Sequence, residues 1–213
     1  MNSEYVGSSI GGLATRLSSD VRKKMFLSLM DLAQPDINTT ILDVGVTCDR
    51  RADSNFFEKL YPHSKSIVAV GMEDATFLEE DFPGLQYIQA DALNLPFPDQ
   101  SFDLVVSFAV IEHVGSRKRQ ALFIEELCRV GKCVCITTPN RWFPIEFHTV
   151  LPVIHWLPSF WFRRILKIFG QSFWSREENL NLVDESDLEA LFPKTKKIVK
   201  RNQKLFEIGR AHV

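Results

Sequence analysis

The sequence predicts an open, doubly wound α/β sheet, and two observations carry that prediction. Several short runs are nearly continuous in apolar character rather than alternating, as parallel strands covered on both faces should be. Between them lie segments with helical spacing or turn residues, so that strand and crossover follow one another along most of the chain. The strands are expected at residues 39–46, 66–72, 85–90, 102–108 and 132–138. A first helix is expected from a cap at Ser18 or Ser19 to near Pro35, with Val21, Met25, Leu29 and Leu32 on one face. A short helix at residues 55–61 stops at Pro62. Ser116 caps another that runs to about Val130, with Gly131 in the place of a C-terminal cap. Toward the end, Ser186-Asp187-Leu188-Glu189 reads as a capping box, and residues 195–203 and 205–209 as a last strand pair.

Composition sets the class. With 213 residues, 45% of them apolar and 24% charged, the chain is long enough for one domain with a sizeable core. A net charge of -2 gives no electrostatic reason to expect nucleic acid as the main partner. The beginning carries Glu4 and lacks a basic stretch followed by an apolar one, so no signal peptide is expected. The four cysteines, Cys48, Cys128, Cys133 and Cys135, lack paired metal-ligand spacing. They read as reduced thiols of a cytoplasmic protein with no metal site. The chain is thus expected to form a single domain over residues 1–213, with residues 1–18 as a flexible arm. Lysines crowd residues 194–204 and read as a solvated edge that discourages strand pairing.

In such a sheet the ligand lies beyond the carboxyl ends of the strands. Those ends carry Asp43, Gly45 and Thr47, then Glu73, then Asp91 and Ala92, and finally Ser107 through His113. Carboxylates at three successive strand ends are costly to bury unpaired, and together they outline a site. A dinucleotide would need a glycine-rich turn leading into a helix N-terminus for its pyrophosphate. That turn is missing after Gly45, where the chain reads Val46-Thr47-Cys48-Asp49. A ligand with a ribose, an adenine and an ammonium group but no phosphate suits these residues better, and S-adenosylmethionine is one.

The segments ILDVG, VAVGMED, QADALNLPFPDQSFDLVVSFAVIEHV and VCITTPNRWFPIEFHT carry a family resemblance. The chain resembles the class I S-adenosylmethionine-dependent methyltransferases, type 11 branch, over residues 39–149. The resemblance implies a Rossmann-like fold, with Asp43 and Gly45 in the first cofactor loop and Glu73 on the ribose. It further implies Asp91 and Ala92 at the adenine and Ser107 beneath the cofactor. The chain departs from the family where glycines are usual, at Thr47 and Asp49.

Methyl transfer requires alignment in a water-poor pocket, and a base only where the nucleophile must shed a proton. Two places offer one: Glu112-His113 after the fourth strand, and Glu146 with His148 after the fifth. His113, His148 and Glu146 are therefore the catalytic candidates. Residues 140–180, rich in tryptophan and phenylalanine, read as a lid inserted after the fifth strand. Within it Trp161, Phe162, Arg163, Arg164, Leu166, Lys167 and Phe169 would suit a helix lying at a membrane surface. The acceptor is expected to be a small molecule or a glycan- or lipid-linked group, methylated at oxygen or nitrogen, with the oligomeric state open. The competing reading is a methyltransferase-like domain that has lost turnover and serves as a binding or scaffold subunit.

Overall fold

The computed structural model describes residues 12–51, 54–146, 148–194, 200–201 and 210–212. Seven strands form one sheet: β1 Ile41–Val44, β2 Ile67–Gly71, β3 Gln86–Gln89, β4 Phe102–Phe108, β5 Gly131–Thr138, β6 Lys200–Arg201 and β7 Arg210–His212. Their order across the sheet is β3-β2-β1-β4-β5-β7-β6. The first five are parallel, and β7 runs antiparallel to both β5 and β6. Strand order reverses between β1 and β4, so a crevice opens at their carboxyl ends, where ligands of such sheets lie. The helices are α1 Gly12–Ala33, α2 Phe56–Leu60, α3 Phe77–Asp81, α4 Arg117–Val130, α5 Ser159–Ile168 and α6 Glu185–Leu191.

Side-chain alternation along the strands divides the core into two walls. Leu42, Val44, Val70 and Val105 pack with Phe123, Ile124 and Leu127 of α4. Ile41, Ala69, Leu104 and Val106 pack on the opposite face with Phe26 and Leu29 of α1 and Phe57 of α2. A third, smaller cluster belongs to the chain after β5, where Phe162, Leu166, Trp174 and Leu180 bury one another.

Several boundaries differ from the sequence reading, each for an identifiable reason. Helix α1 begins at Gly12, ahead of the expected serine cap, so part of the presumed arm is helical. Residues 1–11 lie outside the described residues. Helix α3 was not anticipated; it is short, and Glu79 stabilises its neighbourhood by accepting the backbone N–H of Tyr87 at 2.9 Å. Asp184, not Ser186, caps α6, accepting the N–H of Asp187 at 2.8 Å. Gly131 is the C-terminal cap of α4, as expected, its N–H donating to the Leu127 carbonyl, but it is extended and opens β5 one residue early. A glycine is needed there because a Cβ would stand 2.5 Å from Val105 Cγ2. Most of the expected last strand pair falls outside the described residues, although β6 and β7 do pair with each other.

Candidate functional site at the carboxyl edge

The loop after β1 is built from side chains where glycines were expected. Gly45 has φ +109, and a Cβ on it would lie 2.2 Å from Val110 Cγ2. A residue with a side chain would therefore suffer both backbone strain and a clash. The two amides that follow β1, of Gly45 and Val46, both donate to the carbonyl of Val70 at 2.8 and 3.1 Å. Asn55, itself at φ 48, then clamps the loop from the other side. Its Oδ1 accepts the N–H of Thr47 at 2.9 Å, and its amide donates to the Thr47 carbonyl at 2.9 Å. Asp49 accepts the Arg51 N–H at 2.9 Å and the Ser54 hydroxyl at 3.2 Å, and pairs with the Arg51 guanidinium. Thr47 remains exposed at the surface of this loop.

The other predicted cofactor residues line the same edge. Gly71 ends β2 where a Cβ would come within 2.7 Å of the Val46 carbonyl oxygen, so the two strand-end loops touch backbone to backbone. Glu73 is exposed beyond it, and its carboxylate accepts the Cys48 thiol at 2.8 Å. That contact, with partial burial, pushes the Cys48 thiol up from its ordinary range. Asp91 is exposed after β3 and folds its own turn by accepting the Leu93 N–H at 2.9 Å, with Ala92 half-buried beside it. Ser107 is fully buried, and its hydroxyl donates to the Val44 carbonyl at 2.8 Å. It ties β4 to β1 directly beneath the crevice.

Asp43 lies elsewhere than at the loop surface. Its place in β1 puts it on the same face as Ile41, the wall covered by α1 and α2, and only 5% of it is exposed. Glu58 of α2 faces it there, 2% exposed. Neither Glu58 oxygen has a hydrogen-bond partner, although a proton shared between the two carboxyls would supply one. Burial, and then the Glu58 charge, push Asp43 well above the usual carboxylate range, and burial raises Glu58 as well.

The acceptor-side candidates do come together. The turn at residues 111–113 follows β4 and carries Glu112, fully buried, and His113. His148 arrives from the chain after β5, and its ring centroid lies 4.7 Å from that of His113, edge to face. Glu146, 3% exposed, holds His148 from behind. It accepts the ring Nδ1 at 2.7 Å and the backbone N–H of His148 at 3.0 Å, while its second oxygen accepts the Thr149 N–H at 2.7 Å. Burial alone would raise Glu146, yet these bonds and the His148 charge outweigh it and hold the carboxyl near 2. Burial would lower His148, and the Glu146 carboxylate more than reverses this. Burial and then the neighbouring His148 push His113 down to about 4, and its Nδ1 bonds the Asn179 carbonyl at 2.7 Å. Glu112 is pushed up to about 7, chiefly by burial. Trp174 stands beside both histidines, with centroids at 6.0 and 4.8 Å.

Three contributors to this edge were not singled out as site residues by sequence reasoning: Asn55, Cys48 and Glu58. Asn55 left one signal, as an asparagine just ahead of a helix. The other two act through partners 15 and 25 residues away in sequence, which local patterns do not encode.

The fold defines a Rossmann-like domain with a crevice at the carboxyl ends of β1 and β4. A family model described as a methyltransferase domain, type 11, matches residues 56–133. That match begins just after the loop that lacks the usual glycines. A probable S-adenosylmethionine-dependent methyltransferase of Mycobacterium tuberculosis is 34% identical over 83 residues, which is 37% of this chain and 29% of that protein. A demethylmenaquinone methyltransferase of Staphylococcus epidermidis is 28% identical over 141 residues, 61% of this chain and 52% of that one. The chain thus spans about a third to a half of the curated relatives it matches. A solved structure from Pyrococcus horikoshii superposes with a TM-score of 0.59 at 14% identity, covering 97% of this chain and 92% of that one. The chain is thus similar to S-adenosylmethionine-dependent methyltransferases over its central part, and it shares their Rossmann-like fold.

The Asp43–Glu58 pair yields a pH prediction. Both carboxyls titrate above their unfolded values of about 3.9 and 4.3, so the folded state holds protons that the unfolded state has released. Stability is therefore lost as pH rises from the unfolded pKa toward the folded one. Replacing Glu58 by Gln removes one charge and lets an amide donate to Asp43. Glu58→Gln should raise stability by about 1 kcal/mol at pH 8, with the gain vanishing near pH 4. Urea denaturation at the two pH values measures it.

Proposed function

We propose that the chain is an S-adenosylmethionine-dependent methyltransferase acting at oxygen or nitrogen of a small-molecule or glycan- or lipid-linked acceptor. The observation that carries this is the joining of two half-sites on one edge. The Gly45–Thr47 loop, Glu73 and Asp91 adjoin, across the Gly45–Val110 contact, the turn that bears His113.

The cofactor half fits such a ligand on structural grounds. Backbone approaches at Gly45 and Gly71 leave no room for side chains, and two exposed carboxylates end β2 and β3. When bound, S-adenosylmethionine supplies a methyl carbon already activated by its sulfonium. Glu73 would receive the ribose hydroxyls in place of the Cys48 thiol, and Asp91 and Ala92 would frame the adenine. Gly45 and Thr47 would line the methionine end, with Ser107 bracing them from beneath and Asp43 lying under the loop in its own buried pair.

An oxygen or nitrogen acceptor with a hydrogen must shed one proton on methylation. His148, held by Glu146 and packed against His113 and Trp174, is the group placed to position the acceptor atom and meet that proton. We read residues 140–180 as the acceptor segment of a single domain. Among the described residues no helix is long and apolar enough to cross a membrane, but this segment exposes Trp142, Trp156, Phe160, Trp161, Ile168 and Phe169. Exposed apolar surface of this kind marks an interaction site. In α5, Phe162 and Leu166 turn inward to the small core, and Arg163 donates to the carbonyls of Ser175 and Leu180 at 3.3 and 3.4 Å. The outward set is thus Phe160, Trp161, Ile168 and Phe169 with Arg164 and Lys167, which suits a peripheral contact with a lipid surface.

The competing reading, a domain without turnover, draws on the Cys48 thiol that occupies Glu73. Transfer of tritium from methyl-labelled S-adenosylmethionine into a total lipid or small-molecule extract tests the two. Label in the extract, reduced about 100-fold or more by His148→Ala with S-adenosylhomocysteine affinity unchanged, supports turnover; no transfer to any fraction supports the competing reading. For the surface, the protein should float with vesicles containing anionic lipid, and Phe160→Ser with Trp161→Ser should abolish this. Wild-type protein that stays at the bottom of the gradient would remove the membrane contact.

A further inference from the structure

We propose that Glu112, His113 and His148 form a binding site for one divalent first-row transition metal ion. The three side chains offer a carboxylate oxygen and two imidazole nitrogens that lie within 4.8 Å of one another. A metal holding such ligands at about 2.0–2.2 Å needs them closer than that, within reach of small side-chain rotations.

An independent feature points to a ligand here. Glu112 is fully buried, and while its Oε2 accepts the Thr138 hydroxyl at 3.2 Å, its Oε1 has no hydrogen-bond partner. A buried carboxylate oxygen left without a partner costs about 1–3 kcal/mol or more, and a metal ion would satisfy it. The histidines are prepared in the way that ligating histidines usually are. In each ring Nδ1 is fixed by an oxygen 2.7 Å away, the Asn179 carbonyl for His113 and the Glu146 carboxylate for His148. That assigns Nε2 of each ring to the ion. Glu146 is itself locked by the backbone N–H groups of His148 and Thr149, so the orientation is held by main chain rather than by a free rotor.

Charge and donor type select the ion. Two carboxylates and two neutral imidazoles carry two negative charges, which a divalent cation cancels. Two nitrogens and one oxygen suit Zn²⁺, Co²⁺, Fe²⁺ or Mn²⁺ better than Mg²⁺ or Ca²⁺, which prefer all-oxygen shells. Three protein ligands leave coordination positions open. Given the methyltransferase reading, on which this part rests, those positions would take an oxygen of the acceptor, so that with the ion bound it is the ion, and not the His148 ring, that meets the acceptor atom. The expectation of no metal considered only the cysteines; this site arises from residues 35 positions apart that the fold joins.

The test is equilibrium dialysis of the full chain against Co²⁺ and Zn²⁺, with visible absorption of the Co²⁺ form and parallel calorimetry with S-adenosylhomocysteine. One ion per chain and a cobalt ligand-field band are expected. Glu112→Gln and His148→Gln should each weaken binding at least tenfold, and Glu146→Gln by about 10–100-fold, with circular dichroism and S-adenosylhomocysteine affinity unchanged. Mg²⁺ should not compete. Failure to bind either ion, or binding that survives both ligand substitutions and disappears in Cys133→Ser, overturns the site. S-adenosylhomocysteine binding without metal binding defeats this inference alone, whereas metal binding without S-adenosylhomocysteine binding defeats the cofactor reading alone.

Discussion

The contact between Gly45 and Val110 is the constraint on which the rest of the site depends. Parallel β1 and β4 are neighbours in the sheet, so the chain leaves both at the same edge and its two exits must share space. They do so only because position 45 has no side chain and adopts φ +109. Three residues past Val110 stands His113. One glycine therefore sets the distance between the half of the edge that suits a cofactor and the half that carries ionisable side chains. The buried Ser107–Val44 bond locks the same two strands just below, so neither half moves without the other.

The loop after Gly45 is held by side chains where the family it resembles usually has glycines. Glycines let a backbone approach a ligand closely but are entropically costly to order. Here Asn55, Asp49 and Ser54 fix the loop by side-chain bonds instead. The Cys48 thiol on Glu73 belongs to the same arrangement. It gives the carboxylate a donor, at the cost of a bond that a ribose must replace. Substituted loop, clamping asparagine and occupied carboxylate are thus one local solution rather than three separate losses.

The frame was legible in the sequence because parallel strands buried on both faces leave short apolar runs bounded by turn residues. The end of β4 and the capped start of α4 were legible for equally local reasons, Ser116 being a hydrogen-bonding cap. Local signals also misled. Gly12 and the serines near it resemble breakers, yet α1 runs through them. Asp43 sits in a motif whose position suggested a ligand contact, whereas strand alternation turns it to the wall shared with Glu58. The meeting of His113 with His148, and of both with Glu112, was beyond local reading. Each partner was named from its own strand end, and only the sheet order brings the strand ends together.

The account stands or falls on whether the clamped loop still receives its ligand. Calorimetric titration of the full chain with S-adenosylhomocysteine measures that directly. The account predicts one molecule bound per chain with micromolar affinity, tightened when Cys48→Ala frees Glu73. An absence of heat at millimolar ligand, unchanged in Cys48→Ala, would contradict it.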